Sequence, residues 1–106
     1  MTDKRVVITT AGSIDEARRI AEALVERGLA ACVNIIPKII SIYRWQGKKE
    51  EAEEWMLLIK TSVAFEKVRN AILEMHSYEL PECLSIAIDD GSPEYLKWLE
   101  EAVDVS

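Results

Sequence analysis

Apolar and polar positions along this chain follow two different rhythms. Arg5-Val6-Val7-Ile8-Thr9-Thr10 is an almost unbroken β-branched run and predicts a short strand. Ala11-Gly12 turns the chain. The period then becomes helical, with Ala17, Ile20, Ala21, Leu24 and Val25 on one face. Ser13 stands three residues before Glu16, the spacing of a capping box, and Gly28 lies where a helix-ending glycine belongs. Thr61-Ser62 is the expected cap of a second helix with the stripe Phe65, Val68, Ile72 and Met75. Tyr78-Glu79-Leu80-Pro81 ends that helix in a loop. Cys83-Leu84-Ser85-Ile86-Ala87-Ile88 alternates bulky and small residues as a further strand. After the turn Asp89-Asp90-Gly91, Ser92-Pro93-Glu94 opens a last helix expected to bury Tyr95, Trp98, Leu99 and Ala102.

Between the first two helices lies an outsized hairpin. Its apolar arms are Cys32–Tyr43 and Trp55–Ile59, joined by the charged stretch Trp45–Glu51. Strands usually run about 3–10 residues, and one small protomer can hardly cover both faces of so long and greasy a ribbon. Other copies of the chain are expected to cover it. The element order predicts an α+β, ferredoxin-like βαββαβ fold with an extra C-terminal helix. Four antiparallel strands then carry helices on one side. Pro37 places the second strand at an edge, since proline in sheets is confined to edges, strand starts and bulges. On the first strand Val6 and Ile8 alternate with Val7 and Thr9, and on the last strand Leu84, Ile86 and Ile88 alternate with Ser85 and Ala87; the bulky set is expected to meet the helices and the smaller one to line the open face. Cys32 and Cys83 fall on opposite edges, three strand spacings or about 14 Å apart, too far for the disulfide limit of about 7 Å.

Length bounds the chain to one domain, residues 1–106. With 19 acidic against 13 basic residues and a net charge of -6, it lacks the basic surface that nucleic acid or an anionic membrane requires. No run approaches the ~20 apolar residues of a membrane span. The N-terminus leads into a strand without a signal peptide's apolar core, so a cytoplasmic address with free thiols is expected.

Five ordered strings carry a family resemblance: Leu29-Ala30-Ala31-Cys32-Val33-Asn34, Ser41-Ile42-Tyr43-Arg44-Trp45-Gln46-Gly47-Lys48, Leu58-Ile59-Lys60-Thr61, His76-Ser77-Tyr78-Glu79-Leu80-Pro81-Glu82 and Glu94-Tyr95-Leu96-Lys97-Trp98-Leu99. Together they resemble the CutA divalent-cation tolerance proteins over nearly the whole chain. The resemblance implies a tight, PII-like homotrimer and a link to tolerance of copper and other heavy metals. Two departures stand out. Ser77 occupies the position where the family loop has proline. The copper ligands assigned in some members, a first-strand cysteine and two adjacent histidines, correspond here to Thr9 and Met75-His76.

No phosphate loop, nucleophile elbow or HExxH motif is present, and Cys83 beside Glu82 makes no thiol-enzyme dyad without geometry. No catalytic residue is therefore assigned and the protein is read as non-enzymatic. No cofactor is required. The candidate ion is a divalent metal such as Cu2+, with His76, the only histidine, as its candidate ligand and Met75, Glu82 and Cys83 as further donors. One histidine alone does not make a site, and the plain alternative is a loop residue bonded to nearby carbonyls. Glu50, Glu51, Glu53 and Glu54 match no calcium-loop spacing and suit a solvated edge. Tyr43, Trp45, Trp55, Lys60 and Tyr78 are the candidate walls of an intersubunit cleft for a small ligand. A PII-like signalling or scaffold module, binding a metabolite or partner protein in that cleft, is the competing function.

Overall fold

A computed structural model describes residues 2–103 of the chain. Seven elements follow in the order β1 (Arg5–Ala11), α1 (Ile14–Glu26), β2 (Cys32–Trp45), β3 (Lys48–Thr61), α2 (Phe65–Met75), β4 (Leu84–Ala87) and α3 (Pro93–Glu101). The four strands form one antiparallel sheet in the order β2-β3-β1-β4. The architecture is the α+β, ferredoxin-like one expected, with β1 central and β2 at an edge.

The hairpin is longer on its second arm than the apolar pattern indicated. Trp45 pairs with Lys48 across the two-residue turn Gln46-Gly47, whose φ angles are 50° and 79°. Two positive φ values suit a primed hairpin turn, whose twist matches that of the strands. The acidic stretch is therefore strand rather than tip. Glycine carries the second of these turn positions without strain. Pro37 sits on the edge strand inside a register shift between Ile36 and Ile39, next to Lys38 at φ 55°. This bulge spares the sheet the missing proline N–H. The ribbon stretches the molecule to 45 × 25 × 23 Å, with a radius of gyration of 14.3 Å. A compact chain of this length has about 13 Å.

Cross-strand partners share a face, so the register sorts the sheet. One face carries the rows Val33, Ile59, Val7, Ser85 and Ile35, Leu57, Thr9. Val7, Ile59, Leu57 and Thr9 are buried beneath Ile20 and Leu24 of α1 and Val68 and Ile72 of α2. The opposite face carries Asn34, Leu58, Ile8, Leu84 and Cys32, Lys60, Val6, Ile86. Here the expectation is reversed: the bulky set of β4 points away from the helices, leaving Leu84 55% and Ile86 52% exposed. On the helix face β4 presents Ser85, which is itself exposed and accepts from Arg5 Nη1 at 3.1 Å, so the open face keeps the greasy residues.

The helices follow the expected faces with three corrections. Val25 is exposed, and on α3 only Leu99 is buried among the core positions, Tyr95 and Trp98 each being 45% exposed as a tilted pair with ring centroids 5.4 Å apart. The cap of α2 is Ala64, not Thr61-Ser62. Thr61 Oγ1 is spent elsewhere, donating to Leu29 O at 2.7 Å and accepting from Val63 N at 2.9 Å. Ala64 has extended cap angles but no side-chain oxygen, so Ala64→Asp is expected to stabilise the fold by about 1 kcal/mol. Urea unfolding of both proteins checks this, and an unchanged midpoint speaks against the cap geometry.

Candidate functional site

Several nonlocal contacts converge where residues 76–83 cross the end of β1. His76 is the C-cap of α2, and its side chain is fully buried. Its Nε2 lies 2.6 Å from Thr10 O, and a carbonyl only accepts, so Nε2 carries the proton. Nδ1 then accepts from Tyr78 N at 3.1 Å. Both ring nitrogens are therefore occupied in the neutral ring. A metal ion on His76 must first displace one of these bonds. Met75 and Cys83 are half-buried against the core cluster, and Glu82 is exposed with its carbonyl receiving Thr9 Oγ1 at 2.6 Å. Burial pushes the Cys83 thiol above its usual pKa, which disfavours the thiolate that binds metals. Among the described residues, no three His, Cys, Asp or Glu side chains converge as a ligand set. The candidate donors as arranged do not fit a preformed metal centre.

What does converge is a pair of buried carboxylates around Tyr78. Its hydroxyl donates to Glu54 Oε2 at 2.8 Å, and Glu54 is only 7% exposed. Burial pushes the Tyr78 phenol far above its ordinary value. The bond to Glu54 and the charges of Glu54 and Glu16 add to this, with a smaller contribution from nearby Tyr43. The phenol packs over Gly12, where a Cβ would come within 3.0 Å of its oxygen. The Tyr78 ring also tilts against His76, with centroids 4.7 Å apart.

Glu16 is the second carboxylate. Half of the expected capping box forms, with Ser13 Oγ accepting from Glu16 N at 3.1 Å. The Glu16 carboxylate itself turns to Gly12 N at 3.4 Å and to Ser77 N at 2.8 Å. Arg19 stands 3.7 Å from it. Burial alone raises the Glu16 pKa, but hydrogen bonding to Ser77, the electrostatic effect of nearby His76 and the Gly12 N–H together outweigh it, so the net value lies below the ordinary 4.5. A folded value below the unfolded one means that the unfolded chain binds more protons as pH falls. Glu16 thus contributes stability above about pH 5, and that contribution is lost as pH drops through the folded value. Glu16→Gln is expected to flatten the acid limb of a stability–pH curve below pH ~5, and an unaltered limb rules this out.

The five predicted cleft residues separate into groups. Tyr78 and Tyr43 lie close enough to interact electrostatically. Trp55, opposite Ala11, is half-buried against the core. Trp45 is exposed near the ribbon tip. Lys60 lies on the open face opposite Cys32 and Val6, and its ammonium donates to Asn34 Oδ1. Cys32 and Cys83 are both free thiols. Sequence reading missed Glu54 and Glu16 as site residues. The available signal for Glu54 was its even spacing with Met56 and Leu58, which separates it from a uniformly solvated run.

Comparison with known proteins bears on the family and the fold. Residues 5–102 match the family model of the CutA1 divalent ion tolerance protein. The divalent-cation tolerance protein CutA of Thermus thermophilus is 48% identical over 99 residues, covering 92% of this chain and 96% of that protein. Its solved structure superposes with a TM-score of 0.90 over 95% of this chain and 99% of that one. The structure described as periplasmic divalent cation tolerance protein CutA, from Archaeoglobus fulgidus, gives a TM-score of 0.90 at 42% identity, covering 95% and 99% of the two chains. A CutA homolog of Xenopus laevis is 49% identical over 88 residues, 82% of this chain, and the match spans 58% of that protein's length.

Proposed function

Since this chain belongs to the CutA1 divalent ion tolerance family, we propose that it acts in divalent-cation tolerance as a non-enzymatic, cytoplasmic homotrimer whose functional cleft forms between subunits. The observation that carries the reading is the open sheet face. Val6, Ile8, Met56 and Leu58 lie half-buried there beside exposed Ile36, Leu84 and Ile86. So large an apolar surface, interrupted by Asn34 and Lys60, marks an interaction site. The two sheet edges add to the case. β2 has 14 residues and β4 has 4, so an edge-to-edge contact is head-to-tail, the kind that closes into a ring. Along β2, an open groove lined by Ile14, Val25, Val33, Ile35 and Pro37 offers further apolar contact. Threefold closure is what the family resemblance implies. The two free thiols suit the cytoplasm, and among the described residues no helix is long and apolar enough to cross a membrane.

In this reading divalent ions such as Cu2+ bind weakly and not through His76, whose two ring nitrogens are both held in hydrogen bonds. Calorimetric titration of the parent and His76→Ala with Cu2+ tests this. Affinities agreeing within about threefold are expected, and a loss of tenfold or more makes His76 a ligand. The buried Glu54–Tyr78 pair, with Tyr43 nearby, favours a second reading. In it, a PII-like module takes a metabolite or partner protein in the cleft, and the ions are incidental. A thermal-shift screen of metabolites separates the two, because a ligand of the native state raises apparent stability.

A further inference from the structure

We propose that Glu16 and the backbone N–H of Ser77 form a detachable clasp that holds residues 76–82 over the end of β1 and so delivers Tyr78 to Glu54. The bridge joins segments 61 residues apart at 2.8 Å, from an exposed loop residue to a carboxylate only 6% exposed. Its neighbours in the loop are tied elsewhere, His76 to Thr10 O and Tyr78 O–H to Glu54 Oε2. The Ser77 tie therefore lies between the other two and limits how far the loop can lift. Around the carboxylate stand Gly12 N, Arg19 of the same helix and His76 of the loop, with Tyr78 within electrostatic reach.

The clasp depends on one atom that a single substitution removes. Proline alone lacks a backbone N–H. His76 has φ -79° and ψ 139°, the extended conformation a following proline demands. Ser77→Pro is therefore sterically acceptable to its predecessor and deletes the donor while leaving Glu16 charged. Glu16 is then a positioning residue: it acts on the cleft through the loop, without touching a ligand. That consequence for the cleft rests on the intersubunit reading above, whereas the clasp itself is a property of one subunit.

Hydrogen exchange at the Tyr78 amide tests the clasp, because that amide is bonded to His76 Nδ1 and survives every substitution needed. Four proteins are compared: the parent, Glu16→Ala, Ser77→Pro and the double variant. The Val7 amide in β1 reports that the fold is intact. Glu16→Ala is expected to speed Tyr78 exchange by about tenfold in the parent background, the factor for losing a hydrogen bond to a charged group. In the Ser77→Pro background the same change should add nothing. Equal acceleration in both backgrounds, or none in the parent background with Val7 still protected, overturns the clasp. If Glu16→Ala unsettles the start of α1, Glu16→Gln serves instead. It keeps an acceptor oxygen, and the same background dependence is expected with a smaller acceleration. Failure of the intersubunit reading would appear separately, as an unassociated subunit with these exchange patterns unchanged.

Discussion

Ile86→Glu is expected to dissolve the proposed homotrimer while sparing the subunit fold. Ile86 stands on β4 opposite Val6, on the open face, and is 52% exposed in the isolated subunit. Within one subunit the new carboxylate reaches water and costs little. Inside an apolar contact between copies it is a buried charge without a partner, a cost of several kcal/mol at each site. The expected result is loss of the associated species in sedimentation, with the melting temperature lowered by about 10 °C or more, on the scale of about 4–8 °C per kcal/mol for small domains. An unchanged mass and midpoint would show that the open face meets solvent.

The second large effect is in the core. Leu57 is fully buried on β3, level with Thr9 and Ile35 and within the cluster that α1 and α2 cover. Leu57→Ala removes three buried carbons and leaves a cavity that rigid strands on both sides can hardly close. A loss of about 3–4 kcal/mol is expected, read from urea unfolding. A loss below about 1 kcal/mol is what a half-exposed leucine gives, and it contradicts the sheet register.

The two substitutions bear on the two faces of one sheet, and those faces mark where sequence reading succeeded and failed. Alternation tells which residues share a face but not which face the helices choose. Val6 and Val7 look alike in sequence, so the reversed orientation of Leu84 and Ile86 became visible only once α1 and α2 were seen to fill the layer above Val7. Pro37 did announce the edge strand, because its missing N–H is a constraint of the backbone itself. The faces of α1 and α2 were legible at Ile20, Leu24, Val68 and Ile72, where 3.6-residue periodicity and burial agree. Trp98 kept the same period yet lies exposed, since periodicity reports an apolar stripe without naming what covers it.

The candidate site was less legible still. Tyr78 and His76 stood out as residue types, but their partners are remote: Glu54 is 24 residues from Tyr78, and Glu16 is 61 from Ser77. Glu16 satisfied a local capping rule and Glu54 sat in a run of acids, so each had a sufficient local explanation. The Thr61-Ser62 cap failed for a similar reason. The Thr61 hydroxyl has a competing partner at Leu29 O, and only the tertiary fold brings it there.

Sedimentation velocity and equilibrium at micromolar dilution decide whether the open face and the ribbon are covered by further copies of the chain. The greasy side of the sheet and the projecting ribbon lead us to expect one folded species of three subunits, about 36 kDa given the 12.0 kDa chain. A well-folded 12.0 kDa monomer that persists on dilution and melts cooperatively would contradict it.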